Sequence, residues 1–255
     1  MDFHNKVAIA TGAASGMGLL FSQNFSALGG KILMCDINEA ALAEKAGEIN
    51  ESRKDSAAYA VCDVRDYAAV CKAVQKAVDL FGRIDVLVNF AGGAETRMCN
   101  HGGVFPDVPI EVYDWGIDVN LKGQLYFDHA VMKQMIAQQS GVIINIGSIT
   151  GLEGCASEVA YSSAKSGAMY GLTRSVALAG ARHGIRCNCV APGPVMTRDM
   201  SGMKTIMGRA AQPQEIIDVV LFVASDKASY LTGESILVDG GRLITRVKQN
   251  KEYPI

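Results

Sequence analysis

The chain has 255 residues, a formal net charge of −2 with both signs interspersed, and 49% hydrophobic residues. That is enough apolar material for a substantial core, and it argues against disorder. No basic run points to nucleic acid, and no polybasic stretch or apolar run near the ~20 residues of a membrane span points to a bilayer.

The opening MDFHNKVAIATG puts polar residues before a very short apolar run, which is not the layout of a signal peptide. Lys6 to Ala10 reads as a strand, TGAASGMG as a glycine loop and LLFSQNFSALGG as an amphipathic helix. Gly12, Gly16 and Gly18 follow G-x-x-x-G-x-G rather than the commoner G-x-G-x-x-G. Gly12 would permit a tight turn, Gly16 a close approach of a pyrophosphate, and Gly18 tight packing of the helix. A second strand, KILMCD, ends in Asp36, eighteen residues after Gly18, about where a ribose-binding carboxylate belongs. The helical INEAALAEKAGEIN follows, so Asp36 has a second reading as an N-cap. Arg53 and Lys54 come after that helix and are expected to face solvent.

AAYAVCDV is a third strand ending in Asp63 and Val64, and YAAVCKAVQKAVDLFG is a helix on its apolar spacing. IDVLVNFAGG is a fourth strand and glycine turn that carries Asn89, Ala91 and Gly92 to its carboxyl end, the layer where open parallel sheets bind ligands. The loop GAETRMCNHGGVFPDVP has no periodicity and is long enough to border a pocket. Its Glu95, Arg97, Asn100 and His101 read either as contacts for a small polyol or sugar-like hydroxyketone, or as a solvated surface. A helix from about Glu111 to Gln138 contains Asn120, which is either functional or solvent-facing.

VIINIGS is a fifth strand ending in Ser148, and the next helix runs to about Ala181 with Tyr161 and Lys165 on one face, four residues apart. A free tyrosine titrates near ~10, and one ammonium ~4 Å away, at an effective dielectric of ~20, supplies the ~4 kcal/mol that brings it near neutrality. Tyr161 would then be a general acid/base and Lys165 its tuner, with Ser148 bonding the substrate oxygen; the alternative is a helix with a surface Tyr and Lys. GIRCNCVAPGPVMT is a sixth strand and a turn with Pro192, Gly193, Val195 and Thr197. Cys187 and Cys189 alternate on that strand as small buried side chains, and no second ligand pair accompanies them, so no metal site is expected. Seven scattered cysteines fit a reducing, cytoplasmic setting. Residues 201–208 are a short Met- and Gly-containing segment, PQEIIDVVLFVAS is a last long helix with Pro213 in its first turn, ESILVDGG is a seventh strand, and residues 242–255 form a tail. Strands alternate with helices without a linker. The expectation is one α/β domain over 1–255, a doubly wound Rossmann fold whose seven-stranded, mainly parallel sheet carries helices on both faces.

In this order and spacing, TGAASGMG, Asp36, Asp63-Val64, NFAG, Asn120, Ser148, YSSAK and PGPVMT resemble the short-chain dehydrogenase/reductase family, over Lys6 to Gly241. The resemblance implies an NAD-dependent oxidoreductase that interconverts a secondary alcohol and a ketone by hydride transfer. It implies a catalytic set of Asn120, Ser148, Tyr161 and Lys165, in which Asn120 holds a relay water and Lys165 also binds the nicotinamide ribose. It implies cofactor contacts from Gly12, Ser15, Gly16, Met17 and Gly18 in the first loop and from Asp36 and Ile37 after the second strand. Asp63 and Val64, then Asn89, Ala91 and Gly92, would continue them. Tyr161, Lys165, Pro192 and Gly193 would complete them, with Val195 and Thr197 at the carboxamide. Asp36, with no basic group at Ile37 or Ser15, favours NAD over NADP.

One departure is Phe90, where the family usually has a second asparagine; another is the short segment between Thr197 and Pro213. The resemblance also implies a homotetramer whose helices near Glu111–Gln138 and Ser157–Ala181 pair with their copies through Val131, Met135, Met169 and Leu172. The tail after Gly241 would reach a neighbouring subunit. Alternatives are a 3-oxoacyl-thioester or hydroxysteroid reductase and, from another class, a catalytically silent NAD-binding regulator. A regulator should show a broken Ser/Tyr/Lys set, and this set is intact.

Overall fold

The computed structural model describes residues 1–197 and 205–245. Strand β1 (Val7–Thr11) leads to α1 (Gly16–Ala27), β2 (Lys31–Asp36), α2 (Glu39–Ser52), β3 (Ala57–Val61), α3 (Tyr67–Phe81) and β4 (Val86–Asn89). Then come α4 (Glu95–Met98), α5 (Ile110–Ile117), α6 (Gly123–Gln138), β5 (Gly141–Ile146), α7 (Thr150–Glu153) and α8 (Val159–Ser166). The chain continues through α9 (Thr173–Gly180), β6 (Ile185–Pro192), α10 (Pro213–Ala224), β7 (Ser235–Val238) and α11 (Arg242–Thr245).

The strands pair in the order β3-β2-β1-β4-β5-β6-β7, each neighbouring pair parallel. Such strands are covered on both faces, which is why β1 is apolar from Val7 to Ala10 and buried throughout. Alternation splits them: Ala8, Ile32, Met34 and Val88 pack under α1 and α10, while Ile9, Leu33, Leu87 and Ile143 pack against Phe127 and Val131 of α6. Cys187 and Cys189 are buried, as the alternation in RCNCV requires. Strand order reverses between β1 and β4, where Thr11 lies opposite Asn89, and the crevice above this switch point is where such sheets bind ligands.

Several sequence expectations need correction. The two long helices are each interrupted by a π turn, Asp118–Lys122 between α5 and α6 and Gly167–Leu172 between α8 and α9. The loop over 93–109 contains α4 and a 3-10 turn at Phe105–Asp107. Val131, Met135 and Met169 cannot supply a subunit contact, because all three are fully buried in their own chain's core. Arg53 does not face solvent: its guanidinium donates to the Gly30 and Gly29 carbonyls at 2.5 and 2.8 Å, closing the end of α1 against β2. Arg242, at the start of the tail, pairs with the largely buried Glu153 of its own chain at 3.3 Å. The expectations for residues 198–204 and for the tail beyond 245 lie outside the described residues.

Candidate active site

At the carboxyl edge of β1 the chain must turn from strand to helix beside β4. A Cβ on Gly12 (φ +61°) would lie 2.9 Å from the Ala91 nitrogen, and one on Gly18 only 2.3 Å from the Gly12 oxygen. Both glycines are therefore required by backbone contact. Gly16 (φ +54°) is different, because a Cβ there would meet nothing within 4 Å. Ser15 is the N-cap of α1 but makes no side-chain cap bond, and the first turn has no acidic residue. The result is an open concavity with first-turn N–H groups that suit an anionic group. Met17, by contrast, packs against the core beneath.

Asp36 ends β2 beside this loop. Its carboxylate accepts from the Ala14 N–H and the Asn38 N–H, both at 3.1 Å. The N-cap of α2 is Asn38, whose Oδ1 accepts from the Ala41 N–H at 3.1 Å. The helix-cap reading of Asp36 is thus excluded, and its carboxylate lies against the glycine loop next to the exposed Ile37. Asp63 is gripped by Arg65 at 2.6 Å, and those hydrogen bonds hold its carboxyl below the usual range. Val64 is buried under Gly123, where a Cβ would lie 2.6 Å from its Cγ2.

At the end of β4 the side chains diverge. Asn89 turns into the layer beneath the sheet, donating to Asp128 and to Asn145 at 2.8 Å each, so only its backbone reaches the crevice. Burial pushes the Asp128 carboxyl up to about 7, against the two asparagine donors. Nothing in the sequence flagged this polar cluster, since Asp128 and Asn145 sit inside apolar helix and strand patterns. Phe90, where the family usually has asparagine, packs at a tilt against Phe21 with ring centroids 5.6 Å apart, replacing a polar support by an apolar one. The Ala91 N–H donates to Thr11 Oγ1 at 3.0 Å, fixing the turn that presents Gly92.

Gly92 is where the site converges. A Cβ there would lie 2.5 Å from Asn120 Oδ1 and 3.4 Å from Lys165 Nζ. Asn120 is fully buried in the first π turn; its side-chain amide donates to the Gly93 and Gly116 carbonyls at 2.9 Å each and its Oδ1 accepts from the Gly93 N–H at 3.0 Å. It is not solvent-facing. The wider turn is a common device at functional sites. Lys165 is buried, and its ammonium donates to the Ile146 carbonyl at 2.7 Å, two residues before Ser148. Gln124 bridges the Asn120 and Ile146 carbonyls at 2.8 and 3.2 Å, a link that sequence spacing did not suggest. The Tyr161 ring centroid is 5.5 Å from Lys165 Nζ. Burial pushes the Lys165 amine down to about 8. Ser148 is also buried, and its hydroxyl accepts from the Thr150 N–H and hydroxyl at 3.2 and 2.9 Å.

Next to this set, the Pro192 carbonyl accepts from the Ile149 N–H, and the Gly193 N–H donates to Val238, both at 2.9 Å. Val195 is buried and bridges to Ala211, while Thr197 is exposed. Glu95 departs most from its sequence reading. It is fully buried and its carboxylate accepts from the Ala160 and Tyr161 N–H groups, so it is unavailable as a substrate contact. Arg97, Asn100 and His101 are exposed.

Residues 12–242 match a family model described as enoyl-(acyl carrier protein) reductase. The chain belongs to the short-chain dehydrogenase/reductase family. This short-chain dehydrogenase/reductase is 39% identical over 246 residues to trans-4-hydroxycyclohexanecarboxylate dehydrogenase of Sinomonas cyclohexanicum, covering 92% of each chain. It is 34% identical to a 3-oxoacyl-acyl-carrier-protein reductase of Thermotoga maritima, over 96% of this chain and 100% of that one. Among solved structures, NAD+-bound xylitol dehydrogenase superposes with a TM-score of 0.85 at 28% identity, covering 94% of this chain and 100% of that one. The protein is an oxidoreductase of CH–OH groups that works with a nicotinamide cofactor. Among the described residues no helix is long and apolar enough to cross a membrane.

Proposed function

We propose that this enzyme interconverts a secondary alcohol and a ketone with NAD, Tyr161 acting as general acid/base. The observation that carries the reading is the convergence of Asn120 and Lys165 on Gly92, with the Tyr161 ring 5.5 Å from the Lys165 ammonium. The residues fit the cofactor: the open backbone at Gly16 and the uncapped N-terminus of α1 suit a pyrophosphate, and Asp36 suits a ribose. When bound, the nicotinamide supplies or accepts the hydride. The chain's own work is to orient and to move a proton. Ser148 holds the substrate oxygen, Tyr161 gives it a proton or takes one, Lys165 steadies the phenolate, and Asn120 braces the backbone that presents Gly92. The test is NADH fluorescence followed by turnover on a panel of polyols, cyclic alcohols, hydroxysteroids and 3-hydroxyacyl thioesters. Binding without turnover on every class would leave only a silent NAD-binding regulator. The polyol reading loses Glu95 as a support and keeps Arg97, Asn100 and His101. The seven free cysteines support a cytoplasmic setting.

Lys165→Met is expected to abolish turnover and yet stabilise the cofactor-free protein. A pKa moved from 10.5 to about 8 by burial corresponds to roughly 3 kcal/mol of cost to the charged form. The lost bond to the Ile146 carbonyl subtracts about 1 kcal/mol, since Gln124 still donates there at 3.2 Å. The net gain is thus ~1–2 kcal/mol at pH 7. The folded-state pKa is below the unfolded one, so the wild type's penalty is complete below about pH 8 and fades as pH rises to 10.5. Urea unfolding of both proteins at pH 7 and pH 10 checks this; a difference that grows with pH would contradict it.

For assembly we favour a homotetramer, with different contacts from those read in the sequence. Leu125 on α6 and Leu178 on α9 are 46% and 81% exposed and replace the buried residues as candidates. Light scattering should give about four times the 27.1 kDa chain mass, and a single-chain mass at micromolar concentration would rule it out.

A further inference from the structure

A buried carboxylate persists only where it is compensated. Glu95 shows no exposure, and its two oxygens accept from the Ala160 N–H at 2.9 Å and the Tyr161 N–H at 3.0 Å. These belong to the first turn of α8, where the N-cap, Glu158, makes no side-chain cap bond. Glu95 does from a distant loop what a capping side chain ordinarily does locally, and its charge suits the positive end of the helix. A third element closes the arrangement. A Cβ on Gly116 of α5 would lie 3.1 Å from the Glu95 Cβ and 2.7 Å from the Ala160 Cβ, so α5 is packed against both. One turn further along α8, Lys165 is anchored separately, by the Ile146 carbonyl. The two ends of the Tyr161–Lys165 pair are therefore held by different parts of the chain.

We propose that Glu95 is a positioning residue for Tyr161: its carboxylate fixes the backbone that carries the phenol, and so sets where the phenolic oxygen meets the substrate. This rests on the reading of Tyr161 as the acid/base. Glu95 takes no part in the cofactor cradle at Gly12–Gly18 and Asp36, so the expected signature is a loss in kcat with binding kept.

The experiment compares Glu95→Gln and Glu95→Ala with the wild type, reading kcat per NADH-binding site, the alcohol KM and the NADH Kd. Gln keeps the shape but turns an N–H₂ toward one of the two N–H groups; Ala leaves both without a partner. A misplacement of about 1 Å costs on the order of 10²-fold in rate, so Ala is expected to lose about a hundredfold and Gln about tenfold, with KM and Kd within about twofold. In a Tyr161→Phe background Glu95→Ala should cost nothing further, because the group it positions is gone. Full kcat in both single variants, a fall in kcat matched by the fall in NADH affinity, or additive losses in the double variant would each overturn the proposal. Tyr161→Phe with near-normal turnover would instead remove the acid/base reading itself, and an inactive Tyr161→Phe beside fully active Glu95 variants would remove the positioning role alone.

Discussion

Tyr161→Phe is expected to lower kcat by about 10²–10⁴-fold while NADH still binds. The substitution removes one oxygen and keeps the ring. The Lys165 ammonium, 5.5 Å from the Tyr161 ring centroid, brings a positive charge close to the phenol and so favours its phenolate form. The effect is mutual, because the Lys165 ammonium is desolvated and forms no salt bridge with a carboxylate among the described residues. In the proposed mechanism the phenolate is its partner during the reaction. Phenylalanine leaves the lysine in place with nothing to stabilise, so the loss should appear in kcat and not in the NADH Kd. The measurement is NADH absorbance under steady state with saturating alcohol, with the Kd read by fluorescence. Near-normal kcat would end the mechanism; a matching loss of NADH affinity would mean that the ring, not the oxygen, is what the site needs.

How much of this was legible in the sequence depends on distance along the chain. The β-α alternation gave the sheet, and TGAASGMG gave a loop whose glycines are held by the local contacts of Gly12 and Gly18. Tyr161 and Lys165 were readable because helical spacing alone puts them on one face. Glu95 reads in the sequence as a substrate contact or a solvated loop residue and is neither, because its partners, the N–H groups of Ala160 and Tyr161, lie 65 and 66 residues away and no local pattern announces them. Asn89 ends β4 in the layer its position predicts, but the strand's two-residue period sends its side chain toward Asp128 and away from the crevice. The resemblance implies the paired helices only in outline, and the apolar character of Val131, Met135 and Met169 does not distinguish a helix face turned to the sheet from one turned to a copy. The π turns escaped because they add no residue type to the pattern; they shift the helix by one position, and Asn120 comes to face Gly93 as part of one.

Asp36→Ala should narrow the preference for NAD over NADP, mainly by weakening NAD. With the α2 cap assigned to Asn38, the Asp36 carboxylate is left to the glycine loop and to whatever lies against it. Two ribose hydroxyls would donate to it; a 2′-phosphate would set like charge against it. At ~4 Å and an effective dielectric of ~20 that repulsion is about 4 kcal/mol, roughly three decades in affinity. Asp36 is half-exposed, and solvent screening brings the expectation to one to three decades. Among the described residues no cation pairs with Asp36 to offset the phosphate. Ile37 and Ser15 are neutral, and Arg53 is committed to the Gly29 and Gly30 carbonyls at the opposite end of β2. Six residues of strand separate the two ends, about 17 Å at ~3.3 Å per residue and well beyond a Debye length of ~8 Å. The wild type should therefore show a kcat/KM for NAD that exceeds that for NADP by one to three decades. In Asp36→Ala the NAD value should fall by about tenfold or more as the ribose bonds go, and the NADP value should hold or rise. The measurement is kcat/KM for both cofactors with one alcohol, in both proteins. Equal or better use of NADP by the wild type would mean that Asp36 serves only to brace Ala14 and Asn38.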